Sequence, residues 1–136
     1  MPAIAQVQSI DHVVLTCRDI KATIDFYTSV CGMSHESFES GGATRESLKF
    51  GKQKLNLHQA GKEFEPKATL AKPGTADLCF VVATPVDKVM EGLKEKGIEV
   101  LESGEVVART GAVGKLRSVY IRDPDGNLIE LSNYQE

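Results

Sequence analysis

Hydrophobic and polar positions change their period several times along this chain, and each change marks an element. From Ser9 to Cys17 they alternate. Ile10, His12, Val14 and Thr16 fall on one side and Val13, Leu15 and Cys17 on the other, which predicts a half-buried strand. The period then lengthens. Ile20, Ile24, Tyr27 and Cys31 recur at spacings of four, three and four, the stripe of an amphipathic helix over about 19–31, with Asp19 as its cap and Gly32 as its stop. Short strands are expected at about Met33–Glu39, Thr44–Phe50 and Lys54–Gln59, with turns at Gly41-Gly42 and Gly51-Lys52-Gln53. Gly61 to Thr75 is polar, contains Pro66, Pro73 and Gly74, and reads as a connector or a functional loop. Then the pattern restarts. Asp77 to Ala83 reads as a strand. Thr84 stands as a cap, Pro85 at the first helical position, Asp87 completes the capping pattern, and Val86, Val89, Met90 and Leu93 form a stripe that Gly97 ends, for a helix over about 85–96. Ile98 to Leu101 reads as a strand and Glu105 to Lys115 as a loop. Ser118 to Tyr134 reads as a hairpin, turning at Asp123-Pro124-Asp125-Gly126-Asn127, where Pro presets φ and Gly accepts a positive one.

The restart is a repeat. Adding 65 carries Asp19 to Thr84, Ile24 to Val89, Gly32 to Gly97 and His12 to Asp77. The offset grows later, where the second copy has the longer loop, and Leu55-Asn-Leu-His58 then matches Ile129-Glu-Leu-Ser132, so that Asn56 stands opposite Glu130. The expected architecture is α+β: two βαβββ modules in one domain spanning 1–136, the first over about 9–60, the connector over 61–75 and the second over about 76–134.

Composition narrows the partners. The chain has 41% hydrophobic residues, enough for a real core, and a net charge of −3, which argues against nucleic acid or a membrane surface as partner. Its longest obvious apolar run, Leu78 to Ala83, is far too short to span a bilayer, and the N-terminus shows neither a basic start nor a signal-peptide core. Cys17, Cys31 and Cys79 lie far apart in apolar stretches, as buried free thiols of a cytoplasmic protein do.

Four repeat-related polar residues interrupt apolar strands: His12, Asn56, Asp77 and Glu130. A carboxylate between Ile129 and Leu131 is expensive to bury unpaired, so Glu130 calls for a metal, a cation or water. Imidazole and carboxylate are donors for divalent Ni, Zn, Mn, Co or Fe. His58, two residues beyond Asn56, shares its strand face and is a candidate general base or substrate contact, because imidazole titrates near neutrality. Arg109, Lys115, Arg117 and Tyr120 surround the late loop, Arg109 as a possible clamp for a substrate anion, and Arg109 to Gly114 has glycines enough to move as a lid.

The final hairpin, Asp-Pro-Asp-Gly-Asn-Leu-Ile-Glu-Leu, resembles the last hairpin of the vicinal oxygen chelate superfamily: glyoxalase I, fosfomycin-resistance and extradiol dioxygenase proteins. Within it the chain is most similar to the glyoxalase-domain-containing protein 5 group, through Ile10-Asp-His-Val-Val-Leu-Thr16, Leu55-Asn-Leu-His58, Lys62-Glu-Phe-Glu-Pro-Lys67 and Asp77-Leu-Cys79. The resemblance implies a divalent metal held by His12 and Glu130, with Asp77 as third ligand. It implies a catalytic role for Glu130 and His58, and substrate contacts from Asn56, His58, Arg109 and Tyr120. It also implies a homodimer, a small substrate chelated through vicinal oxygens, and glutathione or another thiol as a possible co-substrate. The expected activity is glyoxalase-like, a lyase or isomerase; thiol transfer, dioxygenase chemistry and non-catalytic, antibiotic-type binding are the alternatives. Two positions depart from the pattern: Asp77 stands where a His is usual, and Asn56 where glyoxalase I has a Glu.

Overall fold

A computed structural model describes residues 3–135 and divides the chain into two compact units, Met1–Ala71 and Lys72–Glu136. The first contains β1 (His12–Cys17), α1 (Ile20–Ser29), β2 (Ser34–Ser40), β3 (Ala43–Phe50) and β4 (Gln53–Gln59), in a sheet ordered β1-β4-β3-β2. The second contains β5 (Asp77–Val81), α2 (Val86–Glu95), β6 (Val107–Thr110), β7 (Lys115–Arg122) and β8 (Leu128–Tyr134), in a sheet ordered β5-β8-β7-β6. In each sheet the first strand runs parallel to the last and the other pairs are antiparallel. The two βαβββ modules of the α+β fold are therefore topologically identical. Their registers agree as well. Asn56 sits between Val14 and Ser47, and Glu130 between Cys79 and Tyr120, so the two polar residues occupy equivalent central positions.

Each sheet buries one face with its helix. In the first unit Leu15, Cys17, Leu48, Leu55 and Leu57 join Tyr27 of α1 in the core; in the second Val119, Ile121, Ile129 and Leu131 join Val86, Met90 and Leu93 of α2. Because strand side chains alternate, the intervening residues must face the other way. That polar face carries His12, Asn56 and His58 in one unit and Asp77, Tyr120 and Glu130 in the other.

Three sequence expectations give way. Thr84 does not cap α2. The N-cap position is Pro85, which has no side-chain acceptor, and the Val86 N–H donates instead to Asn133 Oδ1 of β8 at 2.7 Å. Asp19 does cap α1, accepting from the Ala22 N–H at 3.2 Å. Ile98 to Leu101 forms no strand. Leu101–Gly104 is a turn in which Glu102, Ser103 and Gly104 take φ of 55°, 60° and 71°, the left-handed region, and such a turn cannot continue into a ladder. The missing strand is β6, inside the expected loop, where Val107 to Thr110 pairs with Lys115 to Ser118. Consequently the Arg109–Gly114 segment is not a free lid. Gly111 N–H donates to the Gly114 carbonyl at 2.8 Å, and Val113 N–H to Tyr134 OH at 3.3 Å. Among the described residues no helix is long and apolar enough to cross a membrane.

Candidate functional site

The second unit places its chemistry around one cavity of about 360 Å³, lined among others by Cys79, Arg109, Leu116, Tyr120, Glu130 and Tyr134. Glu130 is half-buried in the middle of the polar face. Its Oε2 accepts from the hydroxyls of Ser118 at 2.6 Å and Ser132 at 3.3 Å. These serines come from β7 and β8, and both are fully buried, so the carboxylate is held from beneath. Tyr120 lies directly across the ladder from Glu130, and its hydroxyl accepts from Arg109 Nε at 3.0 Å. Burial pushes the Tyr120 phenol above its ordinary value. The Glu130 carboxylate adds to the rise and the Arg109 guanidinium opposes it. The phenol therefore keeps its proton at neutral pH.

Cys79, across the ladder from Glu130 on the other side, corrects the expectation of buried thiols: it is exposed, whereas Cys17 is buried. Burial of its sulfur and the nearby Glu130 and Asp77 charges raise the thiol pKa against the hydrogen bond with Ser132, so the reactive thiolate is scarce. Asp77 is exposed at the start of β5, opposite Leu128. Arg117, grouped with the late loop in the sequence, is taken up by a two-pronged ion pair with Asp87 at 3.0 and 3.1 Å.

The first unit places His12, Asn56 and His58 on one face. His12 stands at the start of β1 with its side chain 45% exposed, and its Nδ1 lies 2.8 Å from Asp11 Oδ1. A carboxylate only accepts, so Nδ1 donates. Asn56 Oδ1 is buried and has no hydrogen-bond partner. His58 is 8% exposed, and its ring meets Phe64 edge-on at 5.2 Å. Desolvation first and the Arg45 charge second lower its pKa, with Glu63 opposing, so His58 is a neutral imidazole near pH 7.

The sequence reading missed Ser118, Ser132, Asp11, Arg45 and Phe64. Alternation along β3 and β7 could have placed Arg45 and Ser118 on the polar faces; Phe64 lies in a segment without period.

Residues 9–131 match the family model of the Glyoxalase/Bleomycin resistance protein/Dioxygenase superfamily. The chain belongs to this superfamily. It is 55% identical over 130 residues to the glyoxalase domain-containing protein RDO1 of Mycosarcoma maydis, covering 96% of this chain and 70% of that one. The crystal structure of virulence protein STM3117 from Salmonella typhimurium shares 50% identity and a TM-score of 0.90, covering 96% of this chain and all of the other. TnmS3, an antibiotic binding protein from a Streptomyces species, shares the fold alone, at 20% identity and a TM-score of 0.70 over 96% of this chain and 99% of that one.

Members of the superfamily often use divalent metals, and each unit carries donor atoms of the kind such an ion takes. His12 has its Nδ1 held by a carboxylate, the arrangement that orients metal-binding histidines. Glu130 is fixed through one oxygen, and Asn56 Oδ1 is buried and unmet. All are nitrogen or oxygen atoms suited to Mn, Fe, Co, Ni or Zn. In neither unit, among the described residues, do three His, Cys, Asp or Glu side chains gather by themselves.

Proposed function

We propose that the chain is a metal-dependent, glyoxalase-like lyase or isomerase, working as a cytoplasmic homodimer on a small substrate with two neighbouring oxygens. The observation that carries this reading is Glu130: a half-buried carboxylate at a cavity, held by two buried hydroxyls and flanked by a protonated phenol. His12, Asp77 and Glu130 are the residues that would hold the ion, which would supply Lewis-acid polarisation of the substrate oxygens. The chain's own residues do the rest. Tyr120 OH, fixed by Arg109, donates to a substrate oxygen in the cavity. The neutral imidazole of His58 is free to take a proton, and Asn56 offers a carbonyl oxygen to a substrate hydroxyl. A thiol such as glutathione is the natural co-substrate for isomerisation of a thiohemiacetal.

The test is metal titration of wild type, Glu130→Gln and His58→Ala with Mn, Ni and Zn. It is joined to turnover of the thiohemiacetal of glutathione and a 2-oxoaldehyde. Glu130→Gln is expected to lose most of the metal affinity, and His58→Ala to keep the metal and lose turnover. Equal metal uptake by wild type and Glu130→Gln would refute the assignment. A second reading, non-catalytic binding of a small molecule, is favoured by one feature: Asn56 puts an amide at a position where glyoxalase I has a carboxylate. It predicts ligand binding that chelators leave untouched.

A further inference from the structure

The polar face of the first unit sets Arg45 beside Asn56 and His58, which the proposed function already uses as substrate contacts. Arg45 of β3 and Asn56 and His58 of β4 share this face, and Phe64 of the connector packs against Arg45 and His58. The Phe64 ring lies 3.9 Å below Arg45 Cζ and meets His58 edge-on. Stacking covers one face of the guanidinium without using any of its N–H donors, which lie in its plane. No carboxylate among the described residues pairs with Arg45. Glu63, next to Phe64 in the chain, is engaged by the Gly61 N–H and by Lys67 Nζ at 3.3 Å.

Two atoms here are buried without a partner: Arg45 Nε, a donor, and Asn56 Oδ1, an acceptor. Ser47 lies opposite Asn56, so Arg45, two residues earlier on β3, is its diagonal neighbour. Buried polar atoms are almost always satisfied, so an unmet donor and an unmet acceptor on one sheet face call for a ligand that offers the reverse. The donor asks for an anion. The acceptor asks for a hydroxyl.

We propose that this face binds a small carboxylate bearing an adjacent hydroxyl, with the carboxylate on the Arg45 fork and the hydroxyl donating to Asn56 Oδ1. Lys54, on the same face of β4, lays its Nζ over the Phe38 ring at 4.2 Å, which leaves the Arg45 guanidinium as the cation beside Asn56, and one guanidinium suits one negative charge rather than two. Phe64 seals the back of the guanidinium, and His58 forms an uncharged wall.

The proposal rests on the reading of Asn56 as a substrate contact and extends it to Arg45, and a titration on metal-stripped protein keeps failure of this anion site distinguishable from failure of the metal site. The Arg45 Nε–H and Asn56 side-chain resonances are followed by NMR as glycolate, acetate and ethylene glycol are added. Glycolate is expected to bind more tightly than acetate, and ethylene glycol not at all. Arg45→Met keeps the apolar contact with Phe64 and loses roughly tenfold or more in affinity for both acids. Asn56→Leu retains acetate and loses the preference for glycolate. Should Arg45→Met fail to fold, Arg45→Lys, which keeps the charge without the fork, reads the same loss. Wild type that binds neither acid, wild type that binds acetate as tightly as glycolate, or an arginine variant that binds glycolate like wild type would each overturn the proposal.

Discussion

Replacing Asp123 by Ala removes the acceptor that holds the last hairpin. The Asp123 side chain is buried, and Oδ1 accepts from the backbone N–H groups of Asp125 at 2.9 Å and Asn127 at 3.0 Å, while Oδ2 accepts from Asn127 Nδ2 at 2.8 Å. Asn127 in turn accepts the Ala76 N–H through its own Oδ1 at 2.9 Å, which ties the turn to the start of β5. Each donor left unmet in a buried setting costs about 1–3 kcal/mol, and partial access of water brings the total for three to about 3 kcal/mol. Asp123→Asn should cost roughly half of that, because one amide oxygen can still serve the two backbone donors while its NH2 opposes Asn127 Nδ2. The chain has no tryptophan, so urea unfolding is followed by far-UV circular dichroism. With a slope of about 2 kcal/mol per molar urea, the alanine variant should unfold about 1.5 M earlier than wild type. Glu91→Ala, at an exposed helix pair with Lys88, serves as control and should stay within about 0.5 kcal/mol. A shift under about 0.3 M for Asp123→Ala would refute the argument that this carboxylate organises the turn. The functional corollary is sharp, because a one-residue slip of β8 would turn Glu130 from the polar face into the core.

Other outcomes follow from single contacts. Asn133→Ala should destabilise by about 1–2 kcal/mol in the same assay, since Asn133 supplies the α2 cap to Val86 N–H and donates to the Val82 and Thr84 carbonyls. Gly74→Ala should cost about 1–3 kcal/mol: the residue has φ of 79°, and an added Cβ would stand 2.7 Å from the Asp125 carbonyl oxygen. His58 has a folded pKa below its ordinary 6.5, so the folded chain refuses a proton that the unfolded chain accepts. Stability should therefore fall as pH drops through about 6.5, and His58→Gln should flatten that slope when urea midpoints are compared at about pH 7.5 and 5.5. Arg109→Met removes the charge that holds the Tyr120 phenol down, so ultraviolet titration should find Tyr120 ionising at higher pH than in wild type.

Local physics made much of this molecule readable from its sequence. Alternation placed β1 and β4 and the faces of their residues; the Asp19 cap and the stripe ending at Gly32 gave α1; the Asp-Pro-Asp-Gly turn gave the last hairpin. The repeat was legible for the same reason, since both copies must satisfy the same caps and the same buried faces, and it put Asn56 and Glu130 at equivalent positions before any coordinates did. What alternation cannot carry is information about partners distant in the chain. The α2 cap is Asn133, brought in by β8 from 47 residues away, so the nearby Thr84 looked sufficient. The strand β6 exists because β7 offers its edge to Val107–Thr110, while the more apolar Ile98–Leu101 is followed by a left-handed turn and finds no ladder. Glu130, His12 and His58 were visible as polar breaks in apolar strands. The two serines under Glu130, the Asp11 behind His12, and the Arg45–Phe64 stack beside Asn56 were decided only by tertiary packing, which alone determines which buried polar atoms meet and which are left for something else to bind.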